Sequence, residues 1–373
     1  MATGEHRGLI FVGMSGGVDS SVSALLLKEQ GYDVVGVFIK SWDGLPTKDG
    51  VKFREQCRWK EDRRDAIRVA AKLRIPFRTY DFTEAYYEQV IEYFFREHEA
   101  GRTPNPDIMC NREIKFKLFL ERALVEGADM VATGHYVRIQ KSKVKSQNVN
   151  PKSEIKYQLL IAKDESKDQS YFLYTLTQRE LARVLFPIGE YTKKEVREMA
   201  WRAGLSTADK PDSQGLCFVG EVSMEEFLKA RIKPRVGAVV TSDGRYVGEH
   251  DGVPFYTIGQ RHGLRLSSRL PYYVAAKNLE HNTLVVGEGN SDPALYRAAV
   301  EVAEVSWTDE PPVFGQCLGA KIRYRQPTQN VRVLGESYGQ WSLSFDEPQR
   351  AVTPGQSLVL YDGERVVGGG VIM

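Results

Sequence analysis

A run near the N-terminus combines glycines with hydroxyl and carboxylate side chains, the groups that bind a phosphate. It consists of Gly13, Met14, Ser15, Gly16, Gly17, Val18, Asp19, Ser20 and Ser21. The apolar residues 9–12 before it predict a buried strand, and residues 20–30 after it predict a helix. A turn between a strand and a helix directs backbone N–H groups and the positive end of the helix dipole at one point, which favours an anion. Asp19 adds a carboxylate able to hold Mg²⁺ beside the phosphates.

This loop differs from a Walker A motif, because no Lys follows its glycines. Its S-G-G-x-D-S form instead resembles the pyrophosphate loop of the ATP pyrophosphatases. Those enzymes split ATP between the α and β phosphates and adenylate a substrate oxygen. A tight turn that binds nothing is the alternative for any Gly-Gly pair, but the flanking serines and Asp19 favour a phosphate loop.

A second candidate site surrounds Cys110. Two prolines and a glycine in 101–113 predict a rigid, exposed loop, and Cys110 falls at or just before the first turn of the helix that follows. A helix N-terminus lowers the pKa of a thiol and favours the nucleophilic thiolate. Asp107 lies three residues before the thiol, close enough for general acid–base catalysis. Taken alone, however, this pattern favours a buried cysteine with Asp107 as a helix cap.

The other cysteines are far apart, and no pair has C-x-x-C spacing. The sequence therefore predicts neither a structural zinc site nor a disulfide scaffold, and no metal ligand set. Cys217 lies in a short apolar run after a polar loop, which by itself predicts a buried strand residue. We expect Cys317 in the core of the C-terminal module, while Cys57 lies in a polar segment, 41–58, with no assigned role.

The bulk composition limits the function classes. With 373 residues, the chain is long enough for two or three domains. The net charge of +2 is nearly balanced, so an RNA partner requires a local basic patch. No apolar run approaches the ~18 residues of a membrane span, and residues 1–7 lack the pattern of a signal or transit peptide. These features predict a cytoplasmic protein without membrane contact.

The first third of the chain predicts the elements that position these loops. Strand patterns at 9–12, 34–39, 76–80 and 130–133 alternate with helical patterns at 20–30, 61–73, 84–98 and 112–126. The alternation predicts an α/β fold with a parallel sheet, whose ligands bind at the carboxyl ends of the strands. The Gly-rich loop, Ile39 and Gly134 all lie at the carboxyl ends of predicted strands, so we expect them to converge on one nucleotide.

The rest of the chain changes texture. Residues 137–162 predict a hairpin with a polar tip, and Thr192 with Glu195 predicts a capping box. After Pro234, short β-type runs with Gly turns predict a small β-rich domain and then an all-β, barrel-like module. We expect domains at 1–222, 223–297 and 298–373. Basic residues alternate with Tyr at 321–326, a pattern that can contact RNA but is more often a solvated strand face.

In combination these stretches resemble the bacterial tRNA-specific 2-thiouridylases. The matching stretches keep the family's order: 13–21, 101–116, 133–136, 167–174, 186–190, 212–220, 256–263, 323–326 and 345–370. The resemblance implies a pyrophosphate-loop α/β domain of the adenine-nucleotide alpha-hydrolase type, a small central domain and a tRNA-binding C-terminal β-barrel. It also implies ATP-dependent replacement of O2 of the wobble uridine by sulfur in tRNAs for Glu, Gln and Lys, with release of AMP and pyrophosphate.

The resemblance further implies roles for individual residues. Cys110 corresponds to the attacking cysteine, Cys217 to the persulfide carrier and Asp107 to the acid–base residue. ATP with Mg²⁺ is the implied cofactor, and its site comprises Gly13, Met14, Ser15, Gly16, Gly17, Val18, Asp19, Ser20, Ile39 and Gly134. The implied tRNA contacts are Asn105, Pro106, Asp107, His135, Lys167, Asp168, Gln169, Arg323, Tyr324 and Gln356.

The chemistry accounts for this set of parts. A uracil carbonyl oxygen is a poor leaving group, so AMP is attached to it first and sulfur then displaces AMP. Cys110 either attacks the persulfide on Cys217 and releases sulfide or accepts its terminal sulfur, and both routes end in a Cys110–Cys217 disulfide. The sulfur comes from a cysteine desulfurase or a persulfide carrier, and the family's behaviour implies a monomer.

Two other functions remain open at this stage. The first alternative is an amidotransferase-like ATP pyrophosphatase that adenylates a small metabolite. It is disfavoured because nothing N-terminal resembles a glutaminase and two β modules exceed what a small substrate needs. The second alternative is a non-catalytic module that binds tRNA or nucleotide, which predicts that Cys110 and Cys217 are dispensable.

Overall fold

The computed structural model describes residues 7–44, 58–145, 153–212, 223–266 and 269–373. These residues form a parallel α/β unit, a small four-stranded unit and a C-terminal barrel. Cys57, Cys217, the tip of the predicted hairpin and most of the 41–58 segment lie outside the described residues.

A five-stranded parallel sheet forms the centre of the α/β unit, with the strand order β3-β2-β1-β4-β7. Its strands are β1 (Leu9–Gly13), β2 (Asp33–Lys40), β3 (Phe77–Asp81), β4 (Met130–Ala132) and β7 (Val184–Leu185). The four predicted strands are confirmed, and only the two-residue β7 was not expected. The middle of β1 is fully buried because helices cover both faces of the sheet, which is why the strand is continuously apolar.

Helices follow the strands and turn one apolar side to the sheet. They are α1 (Val18–Glu29), α2 (Trp59–Leu73), α3 (83–99), α4 (106–125), α5 (Gln178–Leu181), α6 (Lys193–Arg202) and α7 (Met224–Lys229). In α2 the buried residues Ala66, Val69, Ala70 and Leu73 recur at helical spacing. Tyr87–Ile91 in α3 and Cys110–Phe119 in α4 are π-helical, a conformation that is frequent at functional sites.

The predicted hairpin is present and joins the α/β unit to the barrel. Its strands β5 (Val137–Lys145) and β6 (Ser153–Ile161) pair antiparallel. In addition, Leu160 of β6 pairs with Arg365 of β17 (Arg365–Ile372). The hairpin therefore extends the sheet of the C-terminal barrel, a long-range pairing that the sequence did not predict.

The middle unit is a four-stranded sheet with the order β10-β11-β8-β9. Its strands are β8 (Gly237–Thr241), β9 (Tyr246–His250), β10 (Tyr272–Asn278) and β11 (Thr283–Glu288). Val239, Val274, Leu284 and Val286 fill its core without exposure. The alternating burial along β11 matches a strand with one covered face.

Six strands close the C-terminal barrel in the order β12-β15-β14-β13-β16-β17, with β12 pairing back to β17. The strands before β17 are β12 (Tyr296–Trp307), β13 (Cys317–Lys321), β14 (Gln329–Ser337), β15 (Gln340–Arg350) and β16 (Ser357–Asp362). The expectation that Cys317 lies in the barrel core is wrong, because Cys317 is exposed. Side chains alternate along a strand, and Leu318 and Ala320 are the residues of β13 that point inward.

None of the helices that the structure describes combines the length and hydrophobicity needed to cross a membrane.

Candidate functional site

The Gly-rich loop has the predicted geometry, with β1 ending at Gly13 and α1 beginning at Val18. Gly17 is the N-cap, and no side chain of the described residues caps the helix. The first N–H groups of an α-helix have no partner within the helix, so those of α1 remain available to an anion at this end. The loop can therefore take a phosphate at the carboxyl edge of the sheet.

The serines of the loop brace it from within. The Ser20 hydroxyl accepts a hydrogen bond from the Ser15 N–H (3.2 Å) and donates to the Gly17 carbonyl (3.2 Å). The Ser21 hydroxyl donates to the same carbonyl (2.7 Å) and accepts from the Thr207 hydroxyl (3.0 Å). Because these bonds join both sides of the turn, they hold the loop in shape before a nucleotide arrives.

Two glycines allow other backbone segments to approach this loop closely. A Cβ on Gly16, whose φ is +78°, would lie 2.2 Å from the carbonyl oxygen of Asp62 on α2. A Cβ on Gly134, just after β4, would lie 2.6 Å from the backbone nitrogen of Ser20. The structure thus places Gly134 against the start of α1, as the expected convergence of strand ends requires. Ile39 is buried near the end of β2.

Asp19 is held by groups that the sequence did not reveal. The Lys193 ammonium contacts both carboxylate oxygens of Asp19, at 2.7 and 2.8 Å, and the Tyr136 hydroxyl donates to one of them (2.8 Å). Burial, together with the nearby charge of Asp19, raises the pKa of Tyr136 far above its usual value. Asp19 and Lys193 are separated by most of the α/β unit in sequence, so local pattern carried no sign of this pair.

Lys193 also connects Asp19 to Asp212. Its ammonium lies 2.8 Å from Asp212 Oδ1, and the same carboxylate receives Lys167 (2.8 Å) and Arg197 (2.9 Å). Burial by itself would raise the pKa of Asp212, but the hydrogen bonds from Lys167 and Lys193 hold it well below the ordinary 3.8. Asp212 therefore stays ionised at every physiological pH.

Lys210 forms a second bridge to the loop. Its ammonium donates to the Gly16 carbonyl (3.0 Å) and to the carboxylates of Asp62 and Asp65 on α2 (2.7 Å each). Burial lowers the pKa of Lys210, but these two carboxylates outweigh it and leave the pKa above the ordinary 10.5. The residues from Thr207 to Asp212 thus run beside the nucleotide loop and contact it through two side chains, Thr207 to Ser21 and Lys210 to Gly16. Asp212 is joined to Asp19 of the loop through Lys193.

Cys110 is buried, as the pattern taken alone favours, but it lies further into its helix than the sequence predicts. The helix α4 begins at Pro106, with the Asn105 side chain accepting the N–H groups of Asp107 (3.2 Å) and Ile108 (3.3 Å). Asn105 rather than Asp107, the alternative considered from the sequence, is therefore the cap of α4. Cys110 falls in the second turn with none of its surface exposed. The pair Asn105-Pro106, a favoured N-cap followed by Pro at N1, was the sequence sign for this earlier start.

The loop before α4 is also not the exposed loop that its prolines predicted. Residues 101–105 are buried or half-buried, because the barrel and the middle unit both pack on them. The Thr103 N–H donates to the Pro354 carbonyl (2.9 Å), and the Lys277 ammonium donates to the Gly101 carbonyl (2.9 Å). The amino-acid composition of a loop indicates how rigid its backbone is, but it does not indicate which other domains pack against the loop.

The other expected tRNA contacts of the α/β unit form internal bonds. His135 is 8% exposed, its Nδ1 lies 2.7 Å from the Thr133 hydroxyl, and burial lowers its pKa well below 6.5. Asp168 is 6% exposed and accepts from the Ala162 N–H (3.1 Å) and the Ser170 hydroxyl (2.7 Å). Gln169 accepts from the Tyr136 N–H (2.9 Å), which links this stretch to the Asp19 cluster.

The expected contacts of the barrel lie where the three units meet. Arg323 donates to the carbonyls of Ile258 (2.9 Å) and Ala351 (3.0 Å), and burial lowers its pKa. The Tyr324 ring packs on Phe172 of the α/β unit, with ring centroids 4.5 Å apart. Gln356 contacts the loop before α4. The structure therefore separates the expected residues into a nucleotide cluster around Asp19 and a junction around 101–105.

Family models match each of the three units. A model described as tRNA methyl transferase HUP domain matches residues 9–221, one described as tRNA methyl transferase PRC-barrel domain matches 225–288, and one described as Aminomethyltransferase beta-barrel domain matches 297–372. Together with the described strands, they confirm the expected fold class.

Curated relatives match along nearly the whole length. The tRNA-specific 2-thiouridylase MnmA of Halalkalibacterium halodurans is 49% identical over 369 residues, covering 97% of this chain and 94% of the relative. The protein of the same name from Bacillus subtilis is 48% identical over 366 residues, with the same coverage of both chains. That from Hydrogenovibrio crunogenus is 45% identical over 369 residues, covering 97% and 93%.

Proposed function

Since this chain belongs to the family of tRNA-specific 2-thiouridylases, we infer that it is an ATP-dependent tRNA sulfurtransferase that acts on the wobble uridine. The observation that carries this conclusion is the 49% identity over nearly the full length of both chains. The Gly-rich loop at the start of α1 supports the ATP half of the reaction. Membership of this family argues against both alternatives from the sequence, which were adenylation of a small metabolite and a purely binding role.

The nucleotide cluster supports activation of the uridine. We place the ATP phosphates at the N-terminus of α1, where backbone N–H groups and Lys193 offset their charge. Asp19 fits Mg²⁺ as one carboxylate beside substrate phosphates, provided that its oxygens exchange Lys193 for the cation. Bound there, Mg²⁺ would neutralise charge that develops on the phosphates. The uracil O2 attacks the α phosphorus, and pyrophosphate leaves.

The second half is sulfur transfer, for which we assign Cys217 as persulfide carrier and Cys110 as the attacking thiol. In one route the Cys110 thiolate attacks the Cys217 persulfide, releasing hydrosulfide and forming the disulfide. The hydrosulfide then adds to C2 of the base and AMP leaves. We assign general acid–base catalysis to Asp107, which is half-buried in the first turn of α4. An external thiol reduces the disulfide for the next cycle.

The finer assignments follow from the family resemblance and the placement of its residues. We propose tRNAs for Glu, Gln and Lys as substrates and a cysteine desulfurase or persulfide carrier as sulfur donor. We also propose a cytoplasmic monomer with domains at 1–222, 223–297 and 298–373. Asn105 and Pro106 open α4 beside Asp107, which suits the proposed contact of this stretch with the target base.

The test is a thiolation assay with unmodified tRNA for Glu, MgATP and a cysteine desulfurase with cysteine as the sulfur donor, without free sulfide, read by mass spectrometry of the digested tRNA. We expect 2-thiouridine from the wild type and from Cys317→Ser, the control at the exposed cysteine, and none from Cys110→Ser. Pyrophosphate release without thiolation in the wild type would contradict the sulfur-transfer assignments while keeping adenylation. Thiolation by Cys110→Ser would remove Cys110 from the mechanism.

A further inference from the structure

The loop that leads into α4 is held by the C-terminal barrel. The side-chain amide of Gln356 donates to two successive carbonyls of this loop, those of Thr103 (2.8 Å) and Pro104 (3.2 Å). The Thr103 N–H donates in return to the Pro354 carbonyl (2.9 Å). Three hydrogen bonds between one barrel turn and one loop define a contact, which we call the loop clamp, between Pro354–Gln356 and Thr103–Pro104.

The clamp is closely packed as well as hydrogen-bonded. Gly355 has φ +90°, and a Cβ there would lie 2.8 Å from the Thr103 nitrogen. The barrel turn is fixed on its other side, since the Gly355 N–H donates to the Ile372 carbonyl (2.9 Å) and the Ile372 N–H donates to the Gln356 carbonyl (2.8 Å). The last strand of the chain therefore supports the turn that holds the loop.

A stiff connection links the clamp to Cys110. Pro104 and Pro106 fix their own φ angles, and the Asn105 side chain caps α4 between them. Cys110 follows one helical turn later, about 6–9 Å along the axis from the cap. Because the intervening chain is rigid, a displacement of Thr103 and Pro104 moves the first turn of α4 rather than being absorbed between them.

Cys110 must become accessible to react, yet none of its surface is exposed and it belongs to the large apolar core of the α/β unit. We propose that Gln356 is a positioning residue for Cys110: its amide, bonded to the loop at Thr103 and Pro104, keeps the thiol covered until the clamp opens. The proposal rests on the proposed function only in treating Cys110 as the reacting thiol. The barrel thereby controls a group in the opposite half of the chain.

Alkylation of Cys110 by iodoacetamide tests this in the full-length protein without tRNA or ATP. Peptide mass spectrometry follows each cysteine separately, and the exposed Cys317 serves as the internal reference. Loss of two neutral hydrogen bonds in Gln356→Ala is expected to raise the Cys110 labelling rate about tenfold or more while leaving that of Cys317 unchanged. Gln356→Glu, whose carboxylate faces the two carbonyls, is expected to raise it further.

Gln349→Ala is the matched control. Gln349 lies in the same barrel, is 6% exposed and bonds to Gln326 and to the Glu347 carbonyl rather than to the loop. We expect wild-type labelling of Cys110 in this variant. Equal acceleration in both variants would mean general loosening of the barrel, and wild-type labelling in Gln356→Ala would mean that the amide does not hold the loop; either result overturns the proposal.

Hydrogen exchange at the Thr103 amide gives a second measurement. This N–H donates to Pro354 within the clamp, so it should exchange at least several-fold faster in Gln356→Ala than in Gln349→Ala. Unchanged exchange would contradict the proposal even if labelling increased. Neither readout requires sulfur transfer, so thiolation that persists in Cys110→Ser would refute the proposed nucleophile while leaving the clamp result standing.

Discussion

Replacing Lys193 by Met should weaken both the fold and ATP binding, because this ammonium neutralises two carboxylates at once. It lies 2.7 and 2.8 Å from the two oxygens of Asp19 and 2.8 Å from Asp212, and its side chain is only 13% exposed. Breaking a buried ion pair costs about 3–5 kcal/mol, and exposed pairs contribute about 0–1 kcal/mol. Asp19 and Asp212 are about one-third exposed. We therefore expect a loss of about 2 kcal/mol in the free energy of unfolding at pH 7.

The matched control for this change is Lys163→Met. Lys163 reaches Glu195 on the same helix α6, but the pair is 3.4 Å apart with both side chains roughly half exposed. We expect the loss of this ion pair to lower the free energy of unfolding by less than about 1 kcal/mol, as measured by urea denaturation. Lys193→Met should also raise the KM for ATP about tenfold, with the KM for tRNA unchanged, since the phosphates then lack the positive charge of Lys193. Equal unfolding free energies and equal KM values for the two variants would refute the reasoning.

The pH dependence of Lys193→Met has a definite sign. The hydrogen bonds from Lys167 and Lys193 offset burial and keep the pKa of Asp212 in the folded protein below the ordinary 3.8. Stabilisation through an ionised Asp212 is therefore complete above about pH 4 and is lost as the pH falls towards the folded pKa. The difference in unfolding free energy between wild type and Lys193→Met should shrink from pH 7 to pH 3. A difference that grows on acidification would contradict this assignment.

Further variants probe other parts of the molecule. In Gly134→Ala the new Cβ would lie 2.6 Å from the Ser20 nitrogen, so we expect a loss of about 1–3 kcal/mol and weaker ATP binding in calorimetry, while Gly335→Ala, which meets nothing within 4 Å, serves as control. Cys317→Ser should change the free energy of unfolding by less than about 0.5 kcal/mol because Cys317 is exposed. Burial lowers the pKa of His98 to about 4. Between pH 7 and pH 5 only the unfolded chain therefore takes up a proton at His98. The free energy of unfolding of the wild type should fall by about 2 kcal/mol over this range, whereas that of His98→Gln should not show this fall when both are measured by urea titration.

Features within a short window were predictable from the sequence. The strands β1, β2 and β4 could be located because each is a largely buried apolar run, and a parallel sheet leaves little polar alternation to confuse the pattern. The edge strand β3 differs, because only Tyr80 of its five residues is buried. The capping box at α6 is confirmed, with the Thr192 hydroxyl accepting from the Glu195 N–H (3.3 Å) and the Glu195 carboxylate accepting from the Thr192 N–H (2.6 Å). Both features depend on residues that are neighbours in sequence.

Features that depend on distant partners were not predictable in this way. The sequence places Lys193 at the start of a helix, but no residue near it in sequence indicates that Asp19 is its partner. The loop 101–105 was expected to be exposed, but its surroundings come from the barrel and the middle unit. The expectation of a core position for Cys317 fails because the register of β13 turns Leu318 and Ala320 inward and Cys317 outward, and a shift of one residue reverses which face a side chain occupies.

The two halves of the reaction are supported by different sets of long-range contacts. The contacts of Lys193 and Lys210 lie entirely within the α/β unit and fix the nucleotide loop through carboxylates. The contacts of Gln356 cross from the barrel and reach the start of α4 through backbone carbonyls. Because one set is ionic and the other neutral, high salt should weaken the first far more than the second. Adenylation therefore depends on the charge state of one domain, whereas access to the Cys110 thiol depends on how two domains are docked.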